Sequence, residues 1–116
     1  MHHRMSLATL LPATGESSAQ QVALFALLNL GVIESLANGL LGASEAQQVF
    51  FHAQNCLFVR KQLRNKIADQ IMSHGVQLAD LFDALPTAEA HREFQRELAA
   101  MRVLCLKLLE ERQLVA

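Results

Sequence analysis

Residues 22–41 read VALFALLNLGVIESLANGLL, twenty positions that carry a single charge, Glu34. Leu, Ala, Val, Ile and Phe occupy nearly every side of the helical wheel, so a helix here is surrounded by protein instead of lying on a surface. Ser17 or Ser18 can cap its start, with Gln20 or Gln21 three residues on. Gly31 is a candidate kink, and Gly39 or Gly42 supplies a left-handed stop. The stretch also has the length of a membrane span. Glu34 near its middle, with Asn29, Ser35 and Asn38, is costly in hydrocarbon, and no Lys or Arg flanks the stretch to orient it. A buried helix is expected, with no membrane partner.

The rest of the chain agrees with a helical reading. Its 116 residues include 21 Leu and 17 Ala against 13 Val, Ile and Thr together, the balance of a helix former. An apolar share of 52% excludes a disordered chain, and two cysteines exclude a disulfide framework. Trp and Tyr are absent, so six Phe do the aromatic packing. A net charge of −1 gives no global attraction to nucleic acid or anionic lipid.

Charge is distributed unevenly. No Lys or Arg occurs between Arg4 and Arg60, whereas residues 60–116 carry 17 of the 21 charges. A surface normally needs charge throughout, so the first half is expected to be covered by the second half, by another copy or by a partner.

Four helices are expected, two of them long, one apolar and central, and one short. Residues 1–16, punctuated by Pro12 and Gly15, read as irregular. Ser44-Glu45-Ala46-Gln47 looks like a capping box that opens a long helix to about His74, with Gly75 just past its end. Val49, Ala53, Cys56, Val59 or Arg60, Leu63, Ile67 and Ile71 form its inward stripe. Phe50, Phe51, Leu57 and Phe58 widen the apolar surface beyond that stripe and are the candidate interface. A short helix over residues 76–84 ends at Leu85-Pro86. Thr87 then caps a last helix to about Gln113, with Phe94, Leu98, Met101, Cys105 and Leu108 as a heptad-like seam. Val103, Leu104, Leu106 and Leu109 lie off that seam and suggest contact on a second side.

The chemistry-bearing residues form no catalytic constellation. His52 and Cys56 stand four apart, as two metal ligands can, but lack further ligands nearby. Asp69, Asp80 and Asp83 read as a solvated acidic face, and His74 as a helix C-terminal cap. Cys56 and Cys105 read as reduced and buried, the usage of a cytoplasmic protein, although sequence alone leaves a disulfide open. Leu11 to Gly15 spells the sortase pentapeptide, here far from a C-terminus and without a basic tail, so the match is read as accidental; no secretory signal is expected. Arg60, Lys61, Arg64 and Lys66 form the one basic face. A helix-turn-helix built on it would use residues 76–84 as recognition helix, and that segment has no Arg or Lys.

The run Asn29-Leu30-Gly31-Val32-Ile33-Glu34-Ser35-Leu36, followed by Gly39, Glu45-Ala46 and Phe50-Phe51, resembles a family of short bacterial helical proteins of unassigned function. Gly75-Val76-Gln77-Leu78-Ala79-Asp80, with Leu85-Pro86, resembles it too. The likeness spans residues 25 to 90. It implies a bacterial origin and supplies no site residues.

The expectation is thus a single all-α domain over residues 1–116, a compact bundle that forms a homodimer in the cytoplasm. It is expected to act as an interaction module of adaptor, chaperone-like or immunity-like kind, through an apolar helical surface that also takes a protein partner. Neither enzymatic activity nor a cofactor or metal is expected. The alternative is a nucleic-acid-binding regulator that uses Arg60 to Lys66.

Overall fold

The computed structural model describes residues 4–14 and 17–112. Among these residues there are six α-helices and no strand, two helices more than the sequence suggests. The first, α1 (Leu7–Thr14), lies in the segment expected to be irregular. Ser6 starts it, its carbonyl accepting from Leu10 N–H at 2.9 Å. Pro12 sits inside the helix and removes one backbone bond, at a cost of about 3 kcal/mol. Leu7 and Leu11, one turn apart, are fully buried and contribute about 1.5–3 kcal/mol each, which offsets that cost. The sortase-like residues Leu11, Pro12, Ala13 and Thr14 are therefore helical, and Gly15 lies outside the described residues.

Helix α2 (Ser18–Ala37) follows the local rules read from the sequence. Ser17 caps it through a complete capping box with Gln20, and Gly39, at φ +72°, follows the Asn38 C-cap. Its length and apolarity match a membrane span, and Val22, Phe25, Ala26, Asn29, Ile33 and Leu36 are buried within the protein.

The long helix expected from Ser44 to His74 is broken twice. Helix α3 (Ala43–Val49) starts after Gly42, so Ser44 lies inside it and does not cap it. Phe50 leaves helical geometry at φ −125°, and Phe50 and Phe51 both turn inward with their rings edge to face at 5.1 Å. A straight helix would splay two adjacent side chains by about 100°. His52, outside the usual capping residues, restarts the chain as α4 (Ala53–Phe58) by accepting from Asn55 N–H. A π-helical turn, residues Val59–Leu63, continues α4, with Val59 and Leu63 both buried. It ends at Arg64, the one described non-glycine residue with positive φ, at +50°.

Asn65 then caps α5 (Lys66–Ala84), accepting from Ala68 N–H at 3.0 Å. This helix runs unbroken through His74 and Gly75, so Gly75 is no terminus and residues 76–84 form no separate helix. It ends where Leu85-Pro86 stops it. Helix α6 (Thr87–Arg112) begins with Pro86 O accepting from Ala90 N–H at 2.8 Å, so Thr87 is its first helical residue and not its cap.

Helix α6 packs along both α5 and α2, which touch each other little, so it lies between them. Its seam is as expected: Phe94, Leu98, Met101, Cys105 and Leu108 are buried, and Ala90 extends the row. The Phe82 ring meets those of His91 and Phe94 edge-on at 5.3 Å, and His74 pairs with Glu97 across the same interface. The radius of gyration, 14.0 Å, is close to the roughly 13 Å of a single domain of this length.

Candidate functional site

A groove of about 790 Å³ lies between the α3–α4 segment and α5. Phe51, Met72 and Val76 form its apolar floor. Arg4, Gln47 and Gln48 stand on one rim and Ser73 and Gln77 on the other, with Cys56, Arg60 and Asp69 at one end. Arg60 Nε lies 3.7 Å from Asp69 Oδ1, so this cation is already partnered.

His52 reaches the groove, but neither ring nitrogen is free. Nδ1 accepts from Asn55 N–H at 3.4 Å, which places the proton on Nε2, 3.0 Å from the Met5 carbonyl that receives it. An imidazole used at both nitrogens neither ligates a metal nor activates a thiol. Among the described residues no three His, Cys, Asp or Glu side chains come together as a metal-binding group, and Asp69, Asp80 and Asp83 do not converge.

Both cysteines are free thiols. Burial pushes the Cys56 thiol up from its ordinary value, and the nearby Arg60 charge offsets that only in part. Burial in the α6 seam raises Cys105 from 9.0 to about 12. Neither has the lowered pKa of a nucleophilic cysteine. A thiol whose folded pKa lies above its unfolded value stabilises the fold below pH 9, and that stability is lost as pH rises from 9 toward about 12. Urea midpoints are expected to fall across this window, and the fall to shrink in Cys105→Ala. An unchanged alkaline limb in that variant would remove Cys105 as its source.

The candidate interface separates into inside and outside. Phe50 and Phe51 are buried in the core of the chain, with Phe51 on the groove floor, and are not the outward apolar surface. Phe58 is half-buried against the core, and only Leu57, 50% exposed, faces outward. All four basic residues are exposed. Arg60, Arg64 and Lys66 border a depression of about 150 Å³ that also holds Asn65 and Asp69, and Lys61 stands outside it. Because α5 is continuous at His74-Gly75, the turn needed for a helix-turn-helix is not there.

The apolar surface lies elsewhere. Val103 is 64% exposed and Leu106 46% on α6, and Leu27 is 47% exposed on α2. The two α6 residues are among those that fall off its inward seam in sequence.

A polar node that spacing does not reveal sits beneath the groove. Asn55 is buried; its Oδ1 accepts from Leu7 N–H at 3.0 Å, and its Nδ2 donates to the Met5 and Phe50 carbonyls at 2.9 and 2.8 Å. Met5 N–H donates to Val49 O at 2.9 Å beside it. Apart from the one to Phe50, these bonds span 44 to 50 residues of chain, so no local pattern announces them. Comparison with known proteins finds no matching family model, no matching curated protein and no matching solved structure.

Proposed function

We propose that this chain is a small interaction module of the bacterial cytoplasm that self-associates through an apolar helical surface. The observation that carries this reading is the outward exposure of Val103 and Leu106, one turn apart on the longest helix. Large apolar side chains in contiguous rows on a soluble surface mark contact sites. Leu27 and the exposed Gly31 form a second row on α2, on the same face as Glu34. Glu34 reaches Arg102 of α6 at 3.6 Å, and Leu106 stands one turn beyond Arg102. Both rows thus run from one bridge between the two helices. Up to Glu34, α2 has no charge to keep such a surface in water, which gives the charge-poor first half of the chain a physical role.

The occupant this surface favours is a second copy, because an uncharged row facing its own symmetry mate meets no like-charge repulsion. Sedimentation at micromolar concentration in about 500 mM salt, where contacts between exposed charges are screened, is expected to give twice the 12.8 kDa chain mass, and Leu106→Glu to return it to one chain with helicity intact. Wild-type protein that stays at one chain mass across tens of micromolar would overturn the reading.

A further inference from the structure

The solvent-facing side of α5 carries a charge order that reads the same from either end with its sign inverted. Lys66, Gln70, Ser73, Gln77 and Asp80 follow at steps of four, three, four and three residues, and all five are exposed. They form one stripe, opposite the buried Ala68, Ile71, Met72, Gly75 and Leu78. A cation opens it and an anion closes it, about 21 Å further along the axis, with two amides and a hydroxyl between. Neither Lys66 nor Asp80 has an ion-pair partner among the described residues.

This order opposes the helix's own dipole, whereas Asp69, in the first turn beside the stripe and paired with Arg60, accords with it. Lys66 stands in the first turn, at the positive end, and Asp83 in the last turn, at the negative end, with Asp80 one turn before it. A stripe shaped only by the stability of α5 would carry the reverse signs. The two charges are also too far apart to meet within one chain.

We propose that this stripe is a two-fold self-docking surface, on which the α5 of a second copy lies antiparallel. A two-fold axis at Ser73 sets Lys66 opposite the partner's Asp80, and Asp80 opposite the partner's Lys66. Gln70 then lies within one residue's rise of the partner's Gln77, and Ser73 faces its own copy, small enough at the axis for the helices to approach to 8–10 Å. Each charge is paired only in the dimer, and the two helix dipoles run antiparallel. A polyanion is a poorer occupant, because half of the stripe would repel it.

The contact is polar and therefore salt-dependent, unlike the apolar face of α6. Sedimentation of the full chain at about 20 mM and about 500 mM salt is expected to show one association step lost at high salt. At low salt, Lys66→Glu and Asp80→Lys each turn two attractions into two repulsions and weaken that step about tenfold. An equimolar mixture of the two variants restores it, because every facing pair is again of opposite sign, and so does the double variant K66E/D80K. Both substitutions place at each helix end the charge its dipole favours, so helicity and thermal midpoint are retained or raised. Mass independent of salt, single variants that associate like wild type, or a mixture no tighter than its components would each overturn the proposal. Because Leu106→Glu acts on the apolar face alone, a loss of association confined to that variant rejects this contact and leaves the apolar reading standing; loss confined to the charge variants does the reverse.

Discussion

Asn55→Ala is expected to destabilise the protein by about 3–4 kcal/mol and to release α1 before the rest of the fold opens. Without the carboxamide, Leu7 N–H and the Phe50 carbonyl lose their side-chain partner in a buried setting, at about 1–3 kcal/mol for each orphaned group. Met5 O keeps the His52 Nε2–H bond, so the loss falls short of three full bonds. At this chain length the thermal midpoint should drop by roughly 10–15 °C. Asn55→Asp separates hydrogen bonding from packing. The carboxylate can still accept from Leu7 N–H, but it turns lone pairs toward two carbonyls, so it should fare no better than Ala. Hydrogen exchange should show amides of residues 7–11 exchanging first, with those of the α6 seam still protected. A stability within 1 kcal/mol of wild type would mean that α1 docks through Leu7 and Leu11 alone.

That node also shows why the fold was only partly legible in the sequence. Ser17 with Gln20, the stop at Gly39, the break at Leu85-Pro86 and the seam from Phe94 to Leu108 all depend on residues within about four positions of one another. Such signals survive in any context, and each is where its pattern places it. The first break in the expected long helix depends on a distant partner, and the second on backbone geometry that residue type does not announce. His52 acts as a cap while Met5, 47 residues away, holds its other nitrogen. Asn65 is an ordinary capping residue, but it follows a π turn and a left-handed Arg64 within a basic run that reads as continuous helix.

The same limit applies to the surface. On a straight helix, Phe50, Phe51, Leu57 and Phe58 read as one excess of apolar side chains. Once the chain breaks at Phe50, two of them become core and the excess vanishes. On α6 the helix is unbroken, so Val103 and Leu106 stay where helical spacing puts them, outside. An apolar surface can be read from sequence only as far as helix continuity can.

Gly75→Ala is the sharpest case, because local and tertiary rules give opposite signs. In a helix interior, alanine is favoured over glycine by about 0.5–1 kcal/mol. Gly31, exposed in α2 with nothing near its Cβ position, should show that gain, best measured in dilute protein by urea unfolding. At Gly75, in the middle of α5, a methyl group would lie 2.6 Å from Phe51 Cγ, with two other ring carbons nearer still. The ring is buried and edge-on against Phe50, so it can retreat only into the groove it floors and at the loss of that packing. Overpacking of this kind costs about 1–3 kcal/mol and more when rigid groups collide, so Gly75→Ala should lose about 2 kcal/mol net. Phe51→Ala alone should cost about 3–5 kcal/mol. In that background the clash is gone, and Gly75→Ala should become stabilising by about 0.5–1 kcal/mol. The reversal of sign, more than either loss, tests whether Gly75 is there to admit the Phe51 ring. If Gly75→Ala costs the same with and without the ring, the glycine has another cause. If the sign reverses, a residue that reads locally as a helix stop is the seat on which the inward turn at Phe50 and Phe51 rests.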